Sequence, residues 1–204
     1  MSELSQWAQR LQAMSQTGLT YATDPFDRRR YEEMREIAAE MMAAVMGAES
    51  GAIAAHYRLE DGYATPKIDV RGVCVRDDAV LLVRERSDGL WTLPGGWADV
   101  GDTPSRSVER EVWEESGYTA RAVRLLALLD RGRQGHPPIP YHAYKAFFLC
   151  EITGGSPATD HETDAAGFFR PASLPPLSAE RVTEAQIRRC FDLSRHPEWP
   201  PDFD

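Results

Sequence analysis

The apolar residues of this chain change their spacing once, and that change limits what it can fold into. They recur at helical intervals through the first sixty residues and alternate from Lys67 onward, with the turn-rich DGYATPK, residues 61–67, between the two regimes. Leu4, Trp7, Ala8, Leu11 and Met14 mark one side of a first helix closed by Gly18. Asp24 and Pro25 supply an N-cap and a first-turn proline for a second helix. Phe26, Tyr31, Met34, Ile37, Ala38, Met41, Met42 and Val45 give it a broad apolar stripe up to Gly47. A third, shorter helix is predicted from Ser50 to Leu59. The methionine-rich stripe reads as a packing surface, for its own domain or for a second copy of the chain.

In the second regime KIDVRGVCV and AVLLVRER alternate on either side of a DD turn, the pattern of a hairpin. LWTL is a short strand, and a helix from Thr103 to Ser116 opens on Pro104 and closes on Gly117. ARAVRLLALLDR and YHAYKAFFLCEIT are strands separated by the loop RGRQGHPPIP. GFFR is a last short strand, ERVTEAQIRRCFDLSRH a C-terminal helix, and PEWPPDFD a loose end. This order predicts a small all-helical domain over residues 1–62, a layered α/β domain over 67–195 and a C-terminal tail over 196–204.

Glu109, Glu111, Glu114 and Glu115 crowd into one stretch of the central helix, in a chain whose net charge is already -9. Like charges one turn apart cost about 0.2–0.5 kcal/mol per pair. At roughly 100° per residue, Glu111, Glu114 and Glu115 fall within one arc, while Val108 and Val112 lie on the neighbouring stripe and anchor the helix. Arg110, one turn before Glu114, can hold that carboxylate. Such a set suits Mg²⁺ or Mn²⁺, which prefer oxygen ligands, and the preceding Gly95–Gly96 lets backbone come close enough to offer a carbonyl. Taken alone, the carboxylates also fit a solvated helix face.

The wider spacing separates these readings. From Gly96 there follow five residues, the acidic Asp102, seven residues and then Arg110-Glu111-Val112-x-Glu114-Glu115-x-Gly117-Tyr118, a pattern that resembles the Nudix box. Asp102 stands where that family usually has Glu, keeping the charge and shortening the reach. The resemblance covers about residues 67–177 and implies a Nudix α/β/α sandwich. It also implies metal ligation by Glu111, Glu114, Glu115 and the Gly96 carbonyl, with Arg110 steering the glutamates. A divalent cation would offset the charge of a diphosphate, and a glutamate, Glu111 or Glu162, would take the proton of the attacking water.

The flanks narrow the resemblance. QWAQRLQAMSQTGLTYATDPFDRRRYEEMREIAAEMMA, TPKIDVRGV, LPGGWADVGDTPS and HPPIPYHAYKAFFLCEI look like bacterial CDP-choline pyrophosphatases of the superfamily, which implies release of CMP and phosphocholine and a homodimer held by the N-terminal helices. ADP-ribose is a second candidate, although the proline that its branch tends to carry near Gln134 comes late here, at Pro137 and Pro138. Processing of RNA ends and ligand sensing without cleavage are further readings. Trp97 can stack on a base or cap a choline group, Arg84 and Arg86 can pair with phosphate, and His136, Tyr141 and His142 border the proline-rich loop where specificity would be read. The acidic balance argues against DNA and leaves room only for short RNA. Cys74, Cys150 and Cys190 lack metal-site spacing and predict reduced thiols in the cytoplasm. No apolar run reaches membrane-spanning length, and no basic leader precedes one.

Overall fold

The computed structural model describes residues 2–158 and 160–204. They form two compact units, one running to Lys67 and including Pro137–His142, the other comprising Ile68–His136 and Ala143–Asp204. Among the described residues no helix is long and apolar enough to cross a membrane.

The first unit is helical, with α1 (Glu3–Tyr21), α2 (Pro25–Met46) and α3 (Ser50–Arg58). The Asp24 side chain accepts from the N–H groups of Phe26 and Asp27, and Gly47 ends α2 in the left-handed region, as the sequence predicts. Gly18 does not close α1, which continues to Tyr21. A Cβ at Gly18 would meet the Tyr31 ring at 2.4 Å, so this glycine serves contact between helices rather than termination. The core is Ala8, Ala38, Ala39, Met42, Ala43, Ile53, Ala54 and Tyr57. Its alanines let the helices approach closely, and the inward face of α1 includes Ser5, Gln12, Ser15 and Gln16. Trp7, Met14, Phe26 and Ile37 of the predicted stripes are left exposed.

The second unit contains β1 (Lys67–Val73), β2 (Val75–Arg76), β3 (Ala79–Glu85), β4 (Trp91–Thr92), α4 (Pro104–Ser116), β5 (Tyr118–Asp130), β6 (Ala143–Gly155), β7 (Thr163–Phe169), α5 (Glu184–Arg195) and β8 (Asp202–Phe203). One sheet has the order β1-β6-β5-β8, and the other has β2-β3-β4 with β7 also paired to β3. Asp77 and Asp78 turn the β2–β3 hairpin with positive φ angles of 51° and 60°, the geometry for which short polar residues are suited. Alternate residues feed opposite cores. Val80 and Leu82 join Ile187 and Leu193 of α5, whereas Leu81 joins Val108 and Val112 of α4. Both faces of the strands are therefore covered by helix, which explains the nearly continuous apolar run of β3.

The C-terminal segment is not loose. Asp202 and Phe203 pair in parallel with Ala127 and Leu128, and the Arg189 guanidinium grips both Asp202 oxygens at 2.6 and 2.8 Å. A pairing this short leaves no periodic signal in sequence.

Gly72 sets how closely α4 lies on β1, because a Cβ there would meet Val112 Cγ2 at 2.4 Å. Gly72→Ala should lower unfolding free energy by about 1–3 kcal/mol in urea denaturation. Gly51→Ala, in α3 with open space around it, should raise it by up to about 1 kcal/mol.

Candidate functional site

The site grows from the loop before α4. Two backbone bonds from β1 pin that loop, Val70 N–H to the Gly96 carbonyl and Gly72 N–H to the Pro94 carbonyl, each at 2.8 Å. Gly95, between them, has φ +145°, and a Cβ there would lie 2.0 Å from the Val70 carbonyl oxygen. Only glycine fits. In this conformation Gly95 N–H donates to Glu115 Oε2 at 2.9 Å. At Gly96 a Cβ would stand 3.1 Å from Glu111 Oε2, so its absence lets that carboxylate rest against the backbone.

The four glutamates separate by environment. Glu109 accepts from Ala122 N–H at 2.8 Å, beside the register shift in β5, and is structural. Glu115 is 3% exposed, while the side chains of Glu111 and Glu114 are 12% and 39% exposed. Arg110 reaches Glu111 at 3.0 Å, Glu114 at 2.9 Å, Asp99 at 3.0 Å and Asp102 at 3.5 Å. Asp102 also pairs with Arg106 at 3.3 Å, so in this structure its shorter arm serves arginines. Burial pushes the Glu115 carboxyl up to about 8, against Arg71 and the Gly95 N–H, with Glu85 and Glu111 adding repulsion. Burial also raises Glu111, opposed by Arg110 and reinforced by Glu114 and Glu162.

Beneath the loop lies a charged group that sequence reasoning missed. Asp69 bridges Arg71 and Lys145, both at 2.8 Å, and all three are buried. Arg71 also donates to the Leu93 carbonyl at 3.0 Å. Burial opposes ionisation of Asp69, but Arg71 and Lys145 hold it below the usual carboxylate range. Burial draws Lys145 down to about 7, with Arg71 adding to the shift and Asp69 resisting it. Buried Glu85 pairs with Arg181 at 3.0 Å and is pushed up by desolvation. A signal for these residues existed: Asp69 and Arg71 share one face of β1, and Lys145 interrupts an apolar strand.

The Glu162 side chain is 59% exposed and lies 3.3 Å from His161 Nε2, and its charge adds to the raised position of Glu111. Arg86 is exposed nearby, its backbone N–H donating to the Glu162 carbonyl at 2.8 Å. Arg84 pairs with Asp164 at 2.6 Å, and Arg86 Nε donates to the Asp160 carbonyl at 3.3 Å. Trp97 is 43% exposed and bridges Asp69 through backbone. Tyr141 and His142 belong to the helical unit, where the Tyr141 ring lies 5.6 Å from that of His56. His136 is buried with Nδ1 2.7 Å from the Ala179 carbonyl, and burial draws it down to about 4. It is built as a neutral structural imidazole.

The donors suit a hard divalent cation: carboxylate oxygens of Glu111 and Glu115 beside backbone, and a Gly96 carbonyl with a second lone pair beyond its bond to Val70. Among the described residues no three His, Cys, Asp or Glu side chains stand as a closed cage. Arg110 takes Glu111 at 3.0 Å and Glu114 at 2.9 Å.

Residues 66–190 match the family described as the NUDIX domain. This chain belongs to the NUDIX family. Residues 2–55 match a second family, described as a UDP-X-like, N-terminal oligomerisation domain. The NUDIX chain is 46% identical over 197 residues to a Bacillus subtilis (strain 168) protein provisionally named as an ADP-ribose pyrophosphatase, covering 97% of this chain and 95% of that one. It resembles a solved UDP-X diphosphatase at 33% identity and TM-score 0.65, covering 99% and 98% of the two chains. A solved ADP-ribose pyrophosphatase from Streptococcus suis is 41% identical, with TM-score 0.63, over 69% of this chain and all of the other. The protein is accordingly a NUDIX pyrophosphohydrolase with a mixed α/β fold and a helical N-terminal region.

The folded pKa of Glu115, about 8, lies above its ordinary value of 4.5, so the folded state keeps a proton that the unfolded state releases. In chelator, stability should fall as pH rises from about 4.5 to about 8, by on the order of 5 kcal/mol, and then level off. Glu115→Gln should remove most of that decline, read from urea denaturation across the pH range.

Proposed function

We propose that this protein hydrolyses the diphosphate linkage of a nucleoside diphosphate joined to a second moiety, using Mg²⁺ or Mn²⁺ held by Glu111, Glu114, Glu115 and the Gly96 carbonyl. The observation that carries this reading is the buried Glu115 and the partly buried Glu111 set against a double glycine, Gly95 N–H on one and the Gly96 backbone against the other. Burying two like charges at one loop is costly, and a divalent cation with a diphosphate offsets that cost. When bound, the ion would neutralise phosphate charge and lower the pKa of an attacking water.

The chain's own residues do the rest. Arg110 orients Glu111 and Glu114 from one guanidinium. Exposed Glu162, whose charge is felt by Glu111, would accept the water's proton, with Glu111 itself as the alternative base. Exposed Arg86 supplies a phosphate contact, and Trp97 a stacking surface for base or choline. For the second moiety, the flanking sequences favour CDP-choline, cleaved to CMP and phosphocholine. ADP-ribose is the second reading, favoured by the name of the Bacillus relative that matches nearly the whole chain. Exposed Trp7, Met14, Phe26 and Ile37, with the match to an oligomerisation domain, support a homodimer through the helices. A monomer in light scattering at micromolar concentration would refute that.

Chromatography of products from CDP-choline, ADP-ribose and a nucleoside triphosphate tests the reading, with turnover expected in Mg²⁺ and none in chelator. Glu115→Gln should abolish turnover and leave the fold intact. Glu162→Gln should lower kcat by about 10²–10⁴-fold with unchanged Mg²⁺ dependence. A shifted metal requirement in that variant would make Glu162 a ligand instead.

A further inference from the structure

The helical unit contains a cavity of about 280 Å³ built wholly from its own residues, among them Gln9, Gln12, Gln16, Tyr57, Glu60 and Tyr141. Most amide donors of its wall are spent on the protein, with one Gln12 N–H left over. Gln9 Nε2 donates to the carbonyls of Ile139 and Tyr141 at 2.9 and 2.8 Å. Gln12 Nε2 donates to Gln16 Oε1 at 3.2 Å, and Gln16 Nε2 to the carbonyls of Asp61 and Gly62 at 3.1 and 3.2 Å. The Gln9 and Gln12 amides are thereby oriented with their oxygens uncommitted to these bonds. The Lys67 ammonium is taken by Glu60 at 2.8 Å and lies 5.5 Å from the centre of the Tyr141 ring.

Two polar atoms of the lining have no partner. Tyr57 is 1% exposed, and neither its hydroxyl nor His56 Nε2 makes a hydrogen bond. A buried hydroxyl without a partner costs about 1–3 kcal/mol, so it calls for a ligand or ordered water. Acceptor oxygens, aromatic faces and the carboxylates of Glu60 and Asp61 exceed the single cation Lys67 in this lining. An anion would meet repulsion there, and a neutral acceptor would find few donors. A cation carrying N–H groups satisfies both the charge and the acceptors, and Lys67 already shows an ammonium held between carboxylate and ring.

We infer that this cavity binds a small organic ammonium ion through its N–H groups, with the Tyr57 hydroxyl as an acceptor. It is a site separate from the metal-binding glutamates, and its test does not depend on turnover. Calorimetric titration of the full chain would compare ethanolamine, choline and ethylene glycol. Ethanolamine should saturate in the millimolar range, choline, which has no N–H, should bind at least about tenfold more weakly, and ethylene glycol should not bind. Tyr57→Phe should raise the Tm, because it removes an unpartnered hydroxyl, while weakening ethanolamine about tenfold. Equal binding of choline, no saturation by ethanolamine, or unchanged affinity in Tyr57→Phe would overturn the assignment and leave a water-filled cavity.

Discussion

The hydrogen bond from Gly95 N–H to the buried Glu115 carboxylate is the contact on which the site depends. It exists because β1 holds the loop from both sides and because Gly95 occupies a backbone position closed to any side chain. The same loop conformation presents Gly96 to Glu111. One strand, one glycine conformation and one face of α4 therefore place the two most buried acidic groups of that helix together, and Val108 and Val112 hold the helix at the required height.

Charge is then organised in layers. Asp69, Arg71 and Lys145 form a buried ion group beneath the loop. Glu115 and Glu85 lie above them and feel Arg71. Arg110 governs the outer layer with Glu111, Glu114, Asp99 and Asp102. Asp69, Glu85 and Glu111 are each paired with a cation, whereas Glu115 has the Gly95 N–H and a raised proton affinity. That residual strain suits a site whose working state includes further positive charge.

Much of the architecture was legible locally. Capping residues Asp24, Gly47 and Gly117 act where the pattern places them, Thr103 caps α4 rather than beginning it, and the β2–β3 hairpin turns at the Asp pair. Gly18 misled because a glycine that ends a helix and one that admits a neighbouring ring look alike in sequence. The partner of Arg84 was not legible because Asp164 lies on β7, far along the chain. Asp69, Arg71 and Lys145 escaped notice because charged residues in alternating strands are ordinarily solvated.

By itself the sequence determined the order of elements, the glycine pair and the helical face on which Glu111, Glu114 and Glu115 stand, since these follow from local periodicity and capping. Only tertiary structure decided which glutamate is buried, which one accepts from β5 at its register shift and which arginines remain exposed. Those outcomes depend on desolvation and on partners supplied by distant strands. Glu109 and Glu115 differ little as letters in a helix, yet one serves Ala122 of β5 and the other sits against Gly95 above Arg71.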